Sequence, residues 1–206
     1  MLKNFFIRLA RRLRPSNLYL IGWRNRVRCA CNAKRTLIVI RGGTGNEVVV
    51  DDSATTFKLE VLVRGHNNRL VVGPRSYLRG RIELYGDGNT ITIGSDSVIG
   101  GGLLMAHHGT TISIGDGCLL AGEVNIRTSD SHSILSADGT RLNPDKNIAI
   151  GNRVWFGCDV TVLKGSVIGS DVVVGALTLV CKAVPDRTVV AGMPARVIRE
   201  NTTWCQ

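Results

Sequence analysis

The chain reads as an all-β protein: a parallel β-helix built from stacked three-sided coils, preceded by a short basic segment with helical spacing. Three observations predict it. An aliphatic residue recurs every six positions along much of the sequence. A longer period of 21 residues, shortening to 18, lies behind it. The composition, with 24 glycines in 206 residues, 5% aromatics and abundant Val, Ile and Leu, favours short strands and tight turns over a helical bundle.

The six-residue signal is plainest after residue 150, as Ile150-Gly151, Phe156-Gly157, Val162-Leu163, Ile168-Gly169, Val174-Gly175 and Val180-Cys181. Upstream it reappears as Ile93-Gly94, Ile99-Gly100, Ile114-Gly115 and Leu120-Ala121. The longer period places Val72, Ile93 and Ile114 21 residues apart, each ending a strand-like run: Arg69–Val72, Thr90–Ile93 and Thr111–Ile114. The turns Gly65–Asn68, Gly86–Asn89 and Gly109–Thr110 precede those runs, and residues 46–50 look like an earlier, weaker copy. From Ile114 to Ile150 is 36 residues and from Ile150 to Ile168 is 18, so later coils hold three hexads each. In each hexad the leading aliphatic points inward and the small residue lets the backbone turn a corner where a larger Cβ would clash. No coil hides its apolar side alone, so stability comes from stacking on neighbours.

The formal charge of +10 is local. Ten of the 26 Lys and Arg fall in residues 1–35, which hold no Asp or Glu, and the rest of the chain is neutral. Residues 1–36 form the basic N-terminal segment, in which Leu2, Phe5, Phe6, Leu9 and Leu13 recur at helical spacing until Pro15. Two readings stand for it: a helix packed on the first coil, or a surface helix resting through residues 1–14 on anionic lipid. Nucleic-acid binding is disfavoured by the neutral remainder. The β-helix domain spans 37–199 and residues 200–206 read as a loose tail. Six cysteines without a CxxC pair fit reduced thiols in a cytoplasmic protein. No apolar run is long enough to span a membrane, and the N-terminus lacks the pattern of a signal peptide.

The repeat breaks once, between Ile126 and Ile148, and residues 127–147, with Gly139 and Pro144, read as a projecting loop. Loops on rigid scaffolds often carry function, and this one holds His132. Imidazole is the side chain best suited to take a proton from a hydroxyl near neutral pH. Its second nitrogen needs a partner, for which Asp130, Glu123 or a backbone carbonyl are candidates. His107 and His108 raise a metal reading, but adjacent strand residues point to opposite faces, so no metal site is expected. Trp155 follows the loop, one residue before the hexad pair Phe156-Gly157.

Ser131-His132-Ser133-Ile134, then a loop and Ile150-Gly-Asn-Arg-Val-Trp155-Phe-Gly157, resembles the sugar O-acetyltransferase branch of the hexapeptide-repeat acyltransferases. Val174-Gly-Ala176-Leu-Thr178 through Lys182 and Pro185, followed by Val190-Ala-Gly-Met-Pro194-Ala-Arg196-Val-Ile-Arg199, resembles the coenzyme-A end of the same family. The resemblance implies a left-handed β-helix, acetyl-CoA as acyl donor, a saccharide acceptor and a homotrimer with the cofactor between subunits. It implies His132 as general base, with Trp155 bordering the reacting thioester. Gly157, Cys158, Gly175 and Ala176 would leave a groove for the pantetheine arm, and Lys182, Arg196 and Arg199 would meet the coenzyme's phosphates. Cys181 departs from the threonine frequent in the family. The rival readings are N-acetylation of an amino sugar, or a non-catalytic or metal-binding β-helix.

Overall fold

The structure, a computed structural model, describes residues 17–29 and 31–205. Short parallel strands stack in about eight turns around a three-sided cross-section. One face is formed by Arg26–Cys29, Glu47–Val50, Arg69–Val72, Thr90–Ile93, Thr111–Ile114, Ile148–Ile150 and Val167–Ile168. Here the repeat lengths become register: Val72 pairs with Ile93, Ile93 with Ile114, Ile114 with Ile150 and Ile150 with Ile168. Alternation then sends Leu70, Ile91, Ile112 and Ile148 into the same column, each at most 1% exposed.

A second face carries Trp155–Phe156, Val173–Val174 and Val189–Ala191 above Val98–Ile99 and Leu119–Leu120. The third carries Leu37–Arg41, Gly102–His107, Val124–Arg127, Thr161–Leu163 and Leu179–Val180. The long strands Thr55–Arg64 and Tyr77–Tyr85 run around the corner between these two faces and join them into one sheet. At that corner the coils approach closely. Gly102 sits at φ +95°, and a Cβ there would lie 2.0 Å from the carbonyl oxygen of Val124, which only glycine permits.

A polar column runs beside the apolar one. The Asn46 amide donates to Asn25 at 2.9 Å, Asn68 to Asn46 at 3.0 Å and Asn89 to Asn68 at 2.8 Å. Asn46, Asn68 and Asn89 are at most 1% exposed, and the bonds satisfy groups that would otherwise be stranded at the corner.

Two findings refine the expected boundaries. Residues 18–34, assigned to the N-terminal segment from sequence, carry the strands Leu18–Leu20, Arg26–Cys29 and Asn32–Lys34, which pair in parallel with the following coil. The expected helix over residues 1–14 lies outside the described residues. The C-terminal residues are docked rather than loose: the Trp204 indole N–H donates to the Arg153 carbonyl at 2.6 Å, and Thr203 Oγ1 donates to Asp171 at 3.1 Å. Among the described residues no helix is long and apolar enough to cross a membrane.

Candidate active site

The loop leaves the solenoid after Val124–Arg127 and returns at Ile148. Its neck is closed by the Lys146 N–H on the Thr128 carbonyl at 3.1 Å. Its tip is a tight hairpin: Gly139 N–H donates to Ser136 O at 3.0 Å and Leu142 N–H to Ile134 O at 2.8 Å.

Asn143 organises the space between. Its amide donates to Asp130 at 2.7 Å and to the carbonyl of His132 at 2.9 Å, and its side-chain oxygen accepts from Ile134 N–H at 2.6 Å. Lys164, on the adjoining coil, donates to Asp130 at 2.5 Å and to the Asn143 carbonyl at 2.8 Å. The hydrogen bond from Lys164, with help from Asn143, holds the Asp130 carboxyl below the usual carboxylate range despite some burial. The backbone is thus pinned on both sides of His132. The His132 side chain is exposed, and its ring has no hydrogen-bond partner among the described residues.

Asp130, expected as a partner for the imidazole, instead spends its carboxylate on Lys164 and Asn143 and anchors the loop. Glu123 is exposed at φ +59°, and no contact joins it to the histidine. Asn143 and Lys164 were not singled out in the sequence. The one available signal was a lysine directly after the hexad pair Val162-Leu163, on the coil beneath the loop.

His107 and His108 meet, contrary to the strand-alternation argument. The strand ends at His107, and His108 takes φ +53° at the corner, so both rings point outward with centroids 5.7 Å apart. Burial, and then the neighbouring His108, lower the pKa of His107. Among the described residues no three His, Cys, Asp or Glu side chains gather as a metal site.

Trp155 is 40% exposed, on the outer side of a strand whose next residue, Phe156, is fully buried. Its ring lies 6.0 Å from that of Trp204, a contact not foreseen from sequence. His132 and Trp155 do not meet within one chain. The loop leaves the corner that follows the Val124–Arg127 face, whereas Trp155 lies on the face opposite that corner. Gly157, Cys158, Gly175 and Ala176 stack at one corner, where a Cβ on Gly157 would fall 2.7 Å from the Ala176 nitrogen. Lys182 and Arg196 line one small cavity at the C-terminal end, with Pro194 and Ala195. Arg199 is on the final antiparallel strand, Arg196–Arg199, and is exposed.

No family model matches the sequence. The polysialic acid O-acetyltransferase of Escherichia coli O1:K1 is 33% identical over 90 residues, 43% of this chain and 29% of that protein. Galactoside O-acetyltransferase of Escherichia coli K12 is 49% identical over 53 residues, 26% of each. The chain therefore matches less than a third of the length of these curated relatives. The structural likeness is wider. The polySia-specific acetyltransferase NeuO superposes with a TM-score of 0.81 at 30% identity, covering 92% of this chain and 85% of that one. The polysialic acid O-acetyltransferase OatWY gives 0.76 at 29% identity, covering 92% and 88%. By fold, repeat register and this wide structural likeness, the chain belongs to the hexapeptide-repeat, left-handed β-helix acyltransferases, in their sugar O-acetyltransferase branch.

Proposed function

We propose that this protein moves an acetyl group from acetyl-CoA to a hydroxyl of a saccharide, with His132 as general base. The observation that carries the reading is the pinned loop: five hydrogen bonds fix the chain around His132 and leave its imidazole free. A base held this way needs little reorganisation to meet an incoming hydroxyl. The imidazole takes the hydroxyl proton as the oxygen attacks the thioester carbon. The tetrahedral intermediate then collapses, and the proton returns to the departing CoA sulfur. No covalent enzyme intermediate is involved. The names of the relatives support an acetyl donor and a sugar acceptor.

The active form in this proposal is a homotrimer. His132 at a corner and Trp155 on the opposite face complete one site only when two copies abut. The loop tip supports this, since Ile134, Leu135 and Leu142 are 59%, 57% and 61% exposed and offer an apolar surface to a second copy. At the stacked corner, Gly157, Cys158, Gly175 and Ala176 leave backbone open to the pantetheine arm, and Lys182, Arg196 and Arg199 receive phosphates. Asp130 acts through the loop and does not touch the reacting atoms, whereas the Trp155 indole borders the thioester.

CoA release with a panel of hydroxyl-only and amino sugars tests the reaction. His132→Ala is expected to lower turnover about a hundredfold or more. Retention of most turnover removes the base assignment, and acetylation confined to amino groups favours the N-acetyl reading. An active monomer in sedimentation removes the shared site.

A further inference from the structure

Strand register lines up four outward side chains at one corner. Arg41 pairs with Arg64, Arg64 with Tyr85 and Tyr85 with His107, one from each successive coil. At about 4.8 Å per strand, three steps give a strip of about 14 Å. Three of the side chains touch in sequence: the Arg64 guanidinium lies 5.8 Å from the Tyr85 ring centre, and that ring lies 5.2 Å from His107. The strip ends where the active-site loop begins, because the His107 N–H donates to Thr128 Oγ1 at 3.0 Å.

The two guanidinium groups on this strip are unpaired. Neither Arg41 nor Arg64 forms an ion pair with any described residue. The nearby acids are engaged: Glu60 and Glu83 both pair with Arg81, Asp87 accepts the His66 N–H at 2.7 Å, and Asp145, which with Glu83 acts on His107, pairs with Arg141 at 2.9 Å. Other arginines behave differently, since Arg69, Arg75 and Arg153 each hold a carboxylate. Tyr85 is 45% exposed, a flat amphipathic surface beside the Arg64 guanidinium.

We infer that Arg41, Arg64, Tyr85 and His107 form an acceptor-holding strip for a saccharide chain bearing carboxylates. Guanidinium forks match carboxylates, and a tyrosine face suits the apolar side of a sugar ring. A chain lying on the strip places a neighbouring sugar unit at the loop that carries His132. The inference rests on the saccharide reading above and adds the charge of the acceptor and the residues that select it.

The test measures binding by calorimetry without acetyl-CoA, using hexamers of sialic acid and galacturonic acid and neutral maltohexaose. At least one acidic hexamer is expected to bind and to weaken with salt, while maltohexaose does not bind. The variant R41A/R64A is expected to lose tenfold or more in affinity, and Y85A to lose less. R64K checks that the fork, and not charge alone, matters. Equal binding of maltohexaose, no binding of either acidic hexamer, or unchanged affinity in a folded R41A/R64A protein overturns the strip. If an acidic hexamer binds but no acceptor is acetylated, the catalytic reading fails and the strip stands. If wild-type protein acetylates a small neutral sugar yet binds no hexamer, the strip alone fails.

Discussion

Replacing Asn143 with alanine removes three hydrogen bonds from the loop while leaving every solenoid contact in place. Two of them are made to neutral backbone groups and one to the Asp130 carboxylate. Neutral bonds contribute about 0.5–1.5 kcal/mol each and a bond to a charged group about 1.5–3 kcal/mol. The loop is partly open to water, which replaces some of each bond, so a value a little under the summed low end of about 2.5 kcal/mol applies: about 2 kcal/mol of loop order. That corresponds to about a thirtyfold fall in the ratio of ordered to disordered loop. If His132 acts from this pinned loop, kcat for sugar acetylation falls by up to about thirtyfold in Asn143→Ala. The thermal midpoint moves little, because the loop lies outside the stacked core. Steady-state kinetics beside a thermal scan decide the matter. A kcat within twofold of wild type, together with faster hydrogen exchange across residues 128–147, refutes the link between loop order and catalysis.

The asparagine column gives a contrasting prediction. Asn68→Leu strands the Asn89 backbone N–H, which loses its 3.0 Å acceptor at a buried corner, while the Asn89 amide keeps the Tyr85 and Gly86 carbonyls. A stranded buried group costs about 1–3 kcal/mol, so denaturant unfolding should show a loss of about 1–3 kcal/mol; a loss below about 0.5 kcal/mol would show that water repairs the column. The loop anchor should also respond to acid. The folded Asp130 carboxyl titrates below its unfolded value of about 3.9, so its contribution is complete above that value and fades as pH falls through the lower folded one. Loop protection factors, corrected for the intrinsic pH dependence of exchange, should be flat from pH 5 to 8 and fall below about pH 4, and Asp130→Asn should remove that acid step.

Much of the fold was legible because a coil repeats itself. The 21-residue spacing of Val72, Ile93 and Ile114 became the strand register without adjustment. The first coil was harder to read. Residues 18–34 hold eight of their 17 positions as Arg, Lys, Asn or Cys, and the hexad signal is masked by charged and polar residues. The His107–His108 pair was misplaced for a related reason: alternation holds only while the strand lasts, and the chain turns between the two.

The sequence by itself determined the solenoid, the single interrupting loop with His132, and the family, since periodic burial and local motifs are written along the chain. Only the tertiary structure showed that Asp130 serves Lys164 and Asn143, that Trp155 faces away from His132, and that four outward residues align beside the loop. Those facts depend on partners 13 to 34 residues apart for Asp130 and about 22 apart in the strip, brought together by stacking. Stacking converts distant sequence positions into neighbours about 4.8 Å apart.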